Sequence, residues 1–455
     1  MSDTLSGDLL GPLFASAKMR ALFSDAATLQ RMLAFEAALA RAEAATRVIP
    51  KDAAHPIEVA CQAKRYDTKA LGLAAANAGN LAIPLVKALT AEVAKRDREA
   101  ARFVHWGATS QDVIDTATVL ALREASALLA RDLARAAKSF VSLAKKHRKT
   151  VMAGRTWLQQ ALPVTFGLKA AEYAESLARA RARMIAAVEE ASVLQFGGAS
   201  GTLAALGNKG GVVSRALGKE LVLAVPPSPW HAHSDRIANA ASAVAIAIGV
   251  CGKIARDVSL LMQTEVAEAF EPAGEGRGGS STMPQKRNPA LSAQVLAAAS
   301  LAPGLLASLL AGLVNEQERG TGGWQASWIA LPQLLLIASG AFERTAEIAA
   351  GLEVDKARMR ANLEISNGLI MAEAAQFALA QKLGKSQAHE LVAKVSKQAL
   401  RDGTHLKEAL RQIPEAASVL PGKKLDELFE PASYLGETEK FIEAAIAATE
   451  RALNK

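Results

Sequence analysis

Three short polar stretches interrupt a chain otherwise rich in alanine and leucine, and they hold most of the residues able to do chemistry. The first, "HWGATSQD", sets His105, Thr109, Ser110, Gln111 and Asp112 ahead of a long apolar pattern. Two readings compete there. Ser110 or Asp112 caps the helix that follows, or the unpaired N–H groups at that helix start bind a carboxylate together with the side chains around them. The second stretch, "GRTWLQ", offers Arg155, Thr156 and Gln159. The third, "GRGGSSTMPQKRNP" at 276–289, combines glycines, two adjacent serines and Lys286. Glycines there permit unusual backbone angles and motion. A serine in such a loop could be a nucleophile or a proton carrier. Lys286 could stabilise a developing anion and lower the pKa of a hydroxyl beside it.

Other chemistry finds less support. His231 and His233 in "PWHAHSD" have metal-ligand character but lack a third ligand, and a surface or helix-start histidine is the stronger reading. There is no Gly-x-Ser-x-Gly elbow, no P-loop and no Rossmann glycine pattern. Nucleotide cofactors therefore have no footing.

These stretches must be positioned by helices. The chain has 455 residues, half of them hydrophobic but only 4% aromatic, which favours close-packed helices over sheets. Its length predicts two or three domains. Helical periodicity covers 25–46, 113–147, 164–193 and 234–268. In 113–147, Leu122, Leu129, Leu133, Ala136, Phe140 and Leu143 form a bundle-type seam. Loop composition marks 103–112, 150–163, 196–211, 225–230 and 271–289. The best strand candidate is "ELVLAV" at 220–225. The organisation this predicts is an N-terminal helical domain over 1–112, a central long-helix domain over 113–355 and a C-terminal helical domain over 356–455.

Charge and hydropathy bound the partners. The net charge of +8 comes from basic residues that mostly alternate with acids. That pattern reads as a solvated surface, suits attraction of a small polyanion, and lacks the aromatic interleaving of a nucleic-acid binder. Two distant cysteines, Cys61 and Cys251, argue against a disulfide framework and for a reducing compartment. The first residues have no leader pattern, so a cytoplasmic protein is expected. Residues 288–315 and 320–342 contain no charge and are long enough to span a membrane. Their prolines and amides point instead to the buried centre of a bundle.

The three stretches together resemble the fumarase/aspartase superfamily. "GSSTMPQKRNP" at 279–289 matches its signature at Gly279, Ser280, Met283, Lys286 and Asn288. "HWGATSQDVIDTA" at 105–117 and "GRTWLQQALPVTFG" at 154–167 are similar to its first two blocks, and "FSDAATLQRMLAFEAALARA" at 23–42 to its N-terminal helix. The resemblance implies an all-α fold of three domains, with a central five-helix bundle. Four such bundles form a twenty-helix core in a homotetramer whose active sites are shared between subunits. It implies a mobile loop that closes over the substrate, β-elimination or its reverse next to a carboxylate, and no metal or other cofactor. Ser280 would carry the proton, and Lys286 and Asn288 would hold a carboxylate along with Thr109, Ser110, Gln111 and Thr156. His105 and Gln159 belong to the same blocks, while Arg20 and Arg319 rest on the need for cations to pair several carboxylates.

One position departs from most of the superfamily. Where "GRTH" or "GYTH" usually supplies a histidine acid, this chain has Trp157, and an indole exchanges no proton at neutral pH. The lactonizing branch of the superfamily, in which 3-carboxy-cis,cis-muconate closes to 4-carboxymuconolactone during protocatechuate breakdown by the β-ketoadipate route, also has tryptophan there. Its leaving group in reverse is a carboxylate, which departs without a proton. "ERGTGGWQASWIALP" at 318–332 resembles that branch too, whereas Gln285 stands where histidine is expected. The alternative is a lyase of the adenylosuccinate or argininosuccinate type.

Overall fold

Apolar residues at helical spacing become long helices. In the computed structural model, which describes residues 7–274, 278, 279, 282, 283 and 285–454, these are Asp25–Ala45, Ser110–Lys146, Phe166–Ala191, Asp235–Leu261, Ala290–Ala311 and Gly323–Gly351. All six seam residues of the Ser110–Lys146 helix are buried. The all-α expectation holds. The two sheets among the described residues are a hairpin of Val151–Thr156 with Gln159–Thr165 and the two-residue pair Ala269–Phe270 with Glu353–Val354.

Two local expectations fail. The 220–225 segment is not a strand: the Gly210–Leu221 helix runs into it, Val222 turns left-handed at φ 53°, and only Ala224 bridges to Val193. Helix hydrogen bonding in an amphipathic run outweighs the β preference of three branched or apolar residues. Conversely, 150–163 is no loop but most of the hairpin. Its glycine sits at a bulge, where a Cβ on Gly154 would meet Leu162 O at 2.7 Å.

The described residues form two compact units. The first takes Met1–Leu133, Ala180–Gly252 and Gln294–Glu343, and so contains the "HWGATSQD" stretch. The second takes Ala134–Arg179, Lys253–Ala293 and Arg344–Lys455. In the second, the C-terminal helices build a core around Leu363, Ile370, Met371, Ala375 and Leu406, and Ala153 of the hairpin packs into it. The last hundred residues, silent in motifs, thus supply the floor on which the hairpin rests.

The uncharged runs behave differently from each other. Among the described residues three helices are long and apolar enough to cross a membrane, Asp235–Leu261 being one of them. The most apolar part of Gly323–Gly351 is 61% buried, as expected of a bundle centre, but that of Ala290–Ala311 is only 22% buried. One chain by itself therefore does not enclose the latter helix.

Candidate active site

The start of the Ser110–Lys146 helix is fixed by one buried acid. Asp112, the third residue of the helix, reaches back to accept from Thr109 N–H at 3.0 Å, so Thr109 rather than Ser110 or Asp112 takes the N-cap position and Asp112 supports it from the first turn. Its oxygens also accept from the N–H groups of Gly197 and Gly198, both at 2.9 Å, and from Gln195 Nε2 at 3.2 Å. His231 Nε2 lies 2.8 Å away. His231 is accordingly no surface histidine: it is buried and serves to hold the helix start. Gly197 is required by this arrangement, since a Cβ there would lie 2.8 Å from the His231 ring. No cluster of three His, Cys, Asp or Glu side chains suited to a metal occurs among the described residues.

Three nominated residues come together beside this anchor. Arg319 donates from Nε to Gln111 Oε1 and from Nη2 to Thr109 Oγ1, each at 3.1 Å, and Nη2 also meets Ala199 O at 3.1 Å. Gln111 is buried, and its amide nitrogen donates to Asp115 Oδ2 at 2.9 Å and His231 O at 2.7 Å. Its donors are thus spent on the protein, and what it offers outward is a grip on Arg319. Ser110 keeps its hydroxyl without a hydrogen bond to any described residue, half-buried at the helix start. Behind them, Asp115 accepts from Trp324 Nε1 at 2.7 Å. Burial pushes the Asp115 carboxyl up to about 7, against the pull of its Trp324 and Gln111 hydrogen bonds. A cavity of about 40 Å³ lies among Asp115, Trp324, His231 and Asn315.

His105 precedes this helix in a left-handed conformation, φ 59°, with Nδ1 2.7 Å from Glu36 Oε1. Burial disfavours its imidazolium, but the charges of Glu36 and Asp112 and the Glu36 hydrogen bond outweigh that and raise its pKa. Arg20 faces the exposed Asp8 loosely at 3.7 Å, while its Nε is buried with no partner among the described residues. That vacant donor suits an anion.

In the second unit the hairpin presents the second block. Thr156 pairs with Gln159 across a two-residue turn whose central residues, Trp157 and Leu158, have φ values of 52° and 63°. Such turns are normally filled by Asn-Gly or Gly-Gly. Here two bulky residues take the left-handed positions, at a cost of order 1–3 kcal/mol each. Trp157 is 98% exposed and Leu158 74% exposed in the single chain. Thr156 and Gln159 are exposed as well.

Ser280 of the signature loop lies outside the described residues. Lys286 is exposed, and Asn288 closes the loop base, its N–H donating to Gly278 O at 2.9 Å and its Nδ2 near Gly279 O at 3.5 Å. Arg287 pins that base through Glu353 at 2.9 and 3.0 Å and stacks over the Phe270 ring.

Sequence reasoning missed Glu36, Asp115, Trp324 and Glu268, all held by hydrogen bonds to site residues or their neighbours. One signal was present. Glu36 and Glu43 recur seven residues apart on the apolar stripe of the Asp25–Ala45 helix, where a solvated acid has no place.

Long helices, a helix start lined with hydroxyl and guanidinium groups, and a glycine-rich basic loop define an all-helical lyase of the fumarase/aspartase class. The family described as "Lyase" matches residues 14–304, and "Adenylosuccinate lyase C-terminus" matches 368–445. The chain belongs to this lyase family. It is 59% identical to a 3-carboxy-cis,cis-muconate cycloisomerase of Bradyrhizobium diazoefficiens, over 99% of this chain and 100% of that one. A protein of the same name from Pseudomonas aeruginosa is 50% identical over 98% and 97%. The crystal structure of 3-carboxy-cis,cis-muconate lactonizing enzyme from Pseudomonas putida superposes with a TM-score of 0.93 at 46% identity, covering 98% of this chain and 100% of that one.

Proposed function

We propose that the chain is an enzyme that converts 3-carboxy-cis,cis-muconate to 4-carboxymuconolactone. One substrate carboxylate oxygen attacks the carbon β to another carboxylate. The new C–O bond forms as the double-bond electrons shift onto the α-carbon and its carboxylate, giving a doubly charged aci-carboxylate. Ser280 then delivers its hydroxyl proton to the α-carbon, and the alkoxide it becomes takes a proton from solvent before the next turnover. Nothing leaves, so the product is an isomer. Lys286 and Asn288 stabilise the developing charge, as fixed donors do best where water is excluded. His105, Thr109, Ser110, Thr156, Gln159, Arg20 and Arg319 hold the remaining carboxylate oxygens, with Gln111 acting through Arg319. The observation that carries the reading is Trp157: an aromatic wall occupies the place of the acid that an amine-expelling lyase needs.

The enzyme works as a cytoplasmic homotetramer with sites shared between chains. Two features support this: the apolar hairpin tip of Trp157 and Leu158 lies open in one chain, and the Ala290–Ala311 helix is mostly uncovered. Burying both against sister chains removes a large apolar surface from water.

Loss of muconate absorbance, followed beside assays with adenylosuccinate and argininosuccinate, tests the reaction. Turnover of the muconate alone is expected. Efficient cleavage of adenylosuccinate would return the chain to the alternative lyase reading. Mixing inactive Ser280→Ala and Thr156→Ala chains tests the sharing, with partial recovery expected from hybrid tetramers.

A further inference from the structure

Glu36 is a buried acid to which the reaction above gives no task. It lies on the Asp25–Ala45 helix with its side chain wholly enclosed. Its Oε1 is 2.7 Å from His105 Nδ1, and its Oε2 has no partner among the described residues. A carboxylate so placed is strongly disfavoured unless a cation or donor compensates it. The imidazole is the compensating group. His105 meets it from a left-handed backbone that persists only where its surroundings hold it.

We propose that Glu36 is a positioning residue for the reaction, holding the His105 imidazolium by Nδ1–H so that its ring orientation is fixed and its Nε2–H donates to a substrate carboxylate. Glu36 then governs how tightly substrate is held without touching it. The proposal rests on the reading that His105 contacts substrate. The ionisable groups acting on the pair are Asp112, on His105, and Glu43 and Cys61, on Glu36. Asp112 adds to the effect of Glu36 and is itself committed to the helix start. Burial pushes the Glu43 carboxyl up to about 9, so near neutral pH it adds no second negative charge beside Glu36.

Glu36→Gln keeps the size and an oxygen acceptor but removes the charge. In steady-state assays it should raise KM about tenfold or more, the worth of a charge-assisted hydrogen bond, with kcat changed far less. The alkaline limb of kcat/KM should move to lower pH. His105→Gln should match it in KM, and the double variant should be no worse than His105→Gln alone. Glu36→Asp, which retains the charge, should recover the wild-type limb in part and serves if Glu36→Gln does not fold. Full additivity of the two substitutions, or an unmoved KM and pH limb in Glu36→Gln, would overturn the proposal. Carbethoxylation of His105 against pH, read by peptide mass spectrometry, measures the pair without substrate. A shifted profile in Glu36→Gln upholds the coupling even for an enzyme inactive on the muconate, and an unshifted one refutes it.

Discussion

Arg155 grips Glu268 with both terminal nitrogens, Nη1 to Oε2 at 2.8 Å and Nη2 to Oε1 at 2.6 Å. The Glu268 carboxylate has no exposure, and Asn362 Nδ2 donates to its Oε1 at 2.8 Å. Gln160 Nε2 in turn donates to Asn362 O at 2.8 Å. The arginine of "GRTW" is therefore an anchor that fixes both strands of the hairpin just behind its tip.

Removing that anchor should cost stability. Arg155→Met leaves a buried carboxylate uncompensated, at roughly 3–5 kcal/mol. Adding Glu268→Leu should restore most of the loss. Thermal unfolding of the single and double variants checks this. An Arg155→Met protein of normal stability with a raised KM would mean that the arginine holds substrate instead.

Trp157 is expected to act by shape. Trp157→Phe keeps most of the aromatic bulk and should retain substantial lactonization. Trp157→Ala should do worse by about tenfold or more, through lost positioning. Trp157→His restores the superfamily's usual acid, yet should gain nothing on the muconate and at most trace activity on amine-expelling substrates, since the rest of the pocket is not built for them. Assays of the three variants on the three substrates decide the matter.

Gln111 should behave as part of Arg319. With its amide donors spent on Asp115 and His231, Gln111→Leu frees the guanidinium rather than removing a substrate contact. It should raise KM about tenfold, as Arg319→Met should, and the pair should be less than additive. Independent, additive losses would show Gln111 meeting substrate directly.

Glu43 supplies a pH dependence of stability. Burial, reinforced by the charge of Glu36, pushes its carboxyl from 4.5 up to about 9, and neither oxygen has a partner among the described residues. The native state then keeps a proton that the unfolded chain has released, so this group's contribution to stability falls as pH rises from 4.5 towards 9. Glu43→Met removes the penalty. It should stabilise the protein by about 4 kcal/mol more near pH 8 than near pH 5, measured by urea unfolding. An equal gain at both pH values would show that Glu43 is ionised in the folded protein.

The sequence by itself determined the helices, because their signal is local: apolar residues at helical spacing, ended by glycine, proline and capping residues. It also determined where the three polar blocks lie, and that Trp157 cannot be an acid, because side-chain chemistry needs no coordinates. The hairpin at 151–165 was not legible, since its strands are fixed by packing Ala153 against Leu363 and Ile370 two hundred residues away and by the Arg155–Glu268 pair. Only tertiary structure decided that Gln111 faces inward, that His231 braces the first block through Asp112, and that Glu36 meets His105 across 69 residues of chain. Each of these is a choice between a solvated polar group and a buried, paired one. That choice turns on a partner distant in sequence, whose position exists only once the chain has folded.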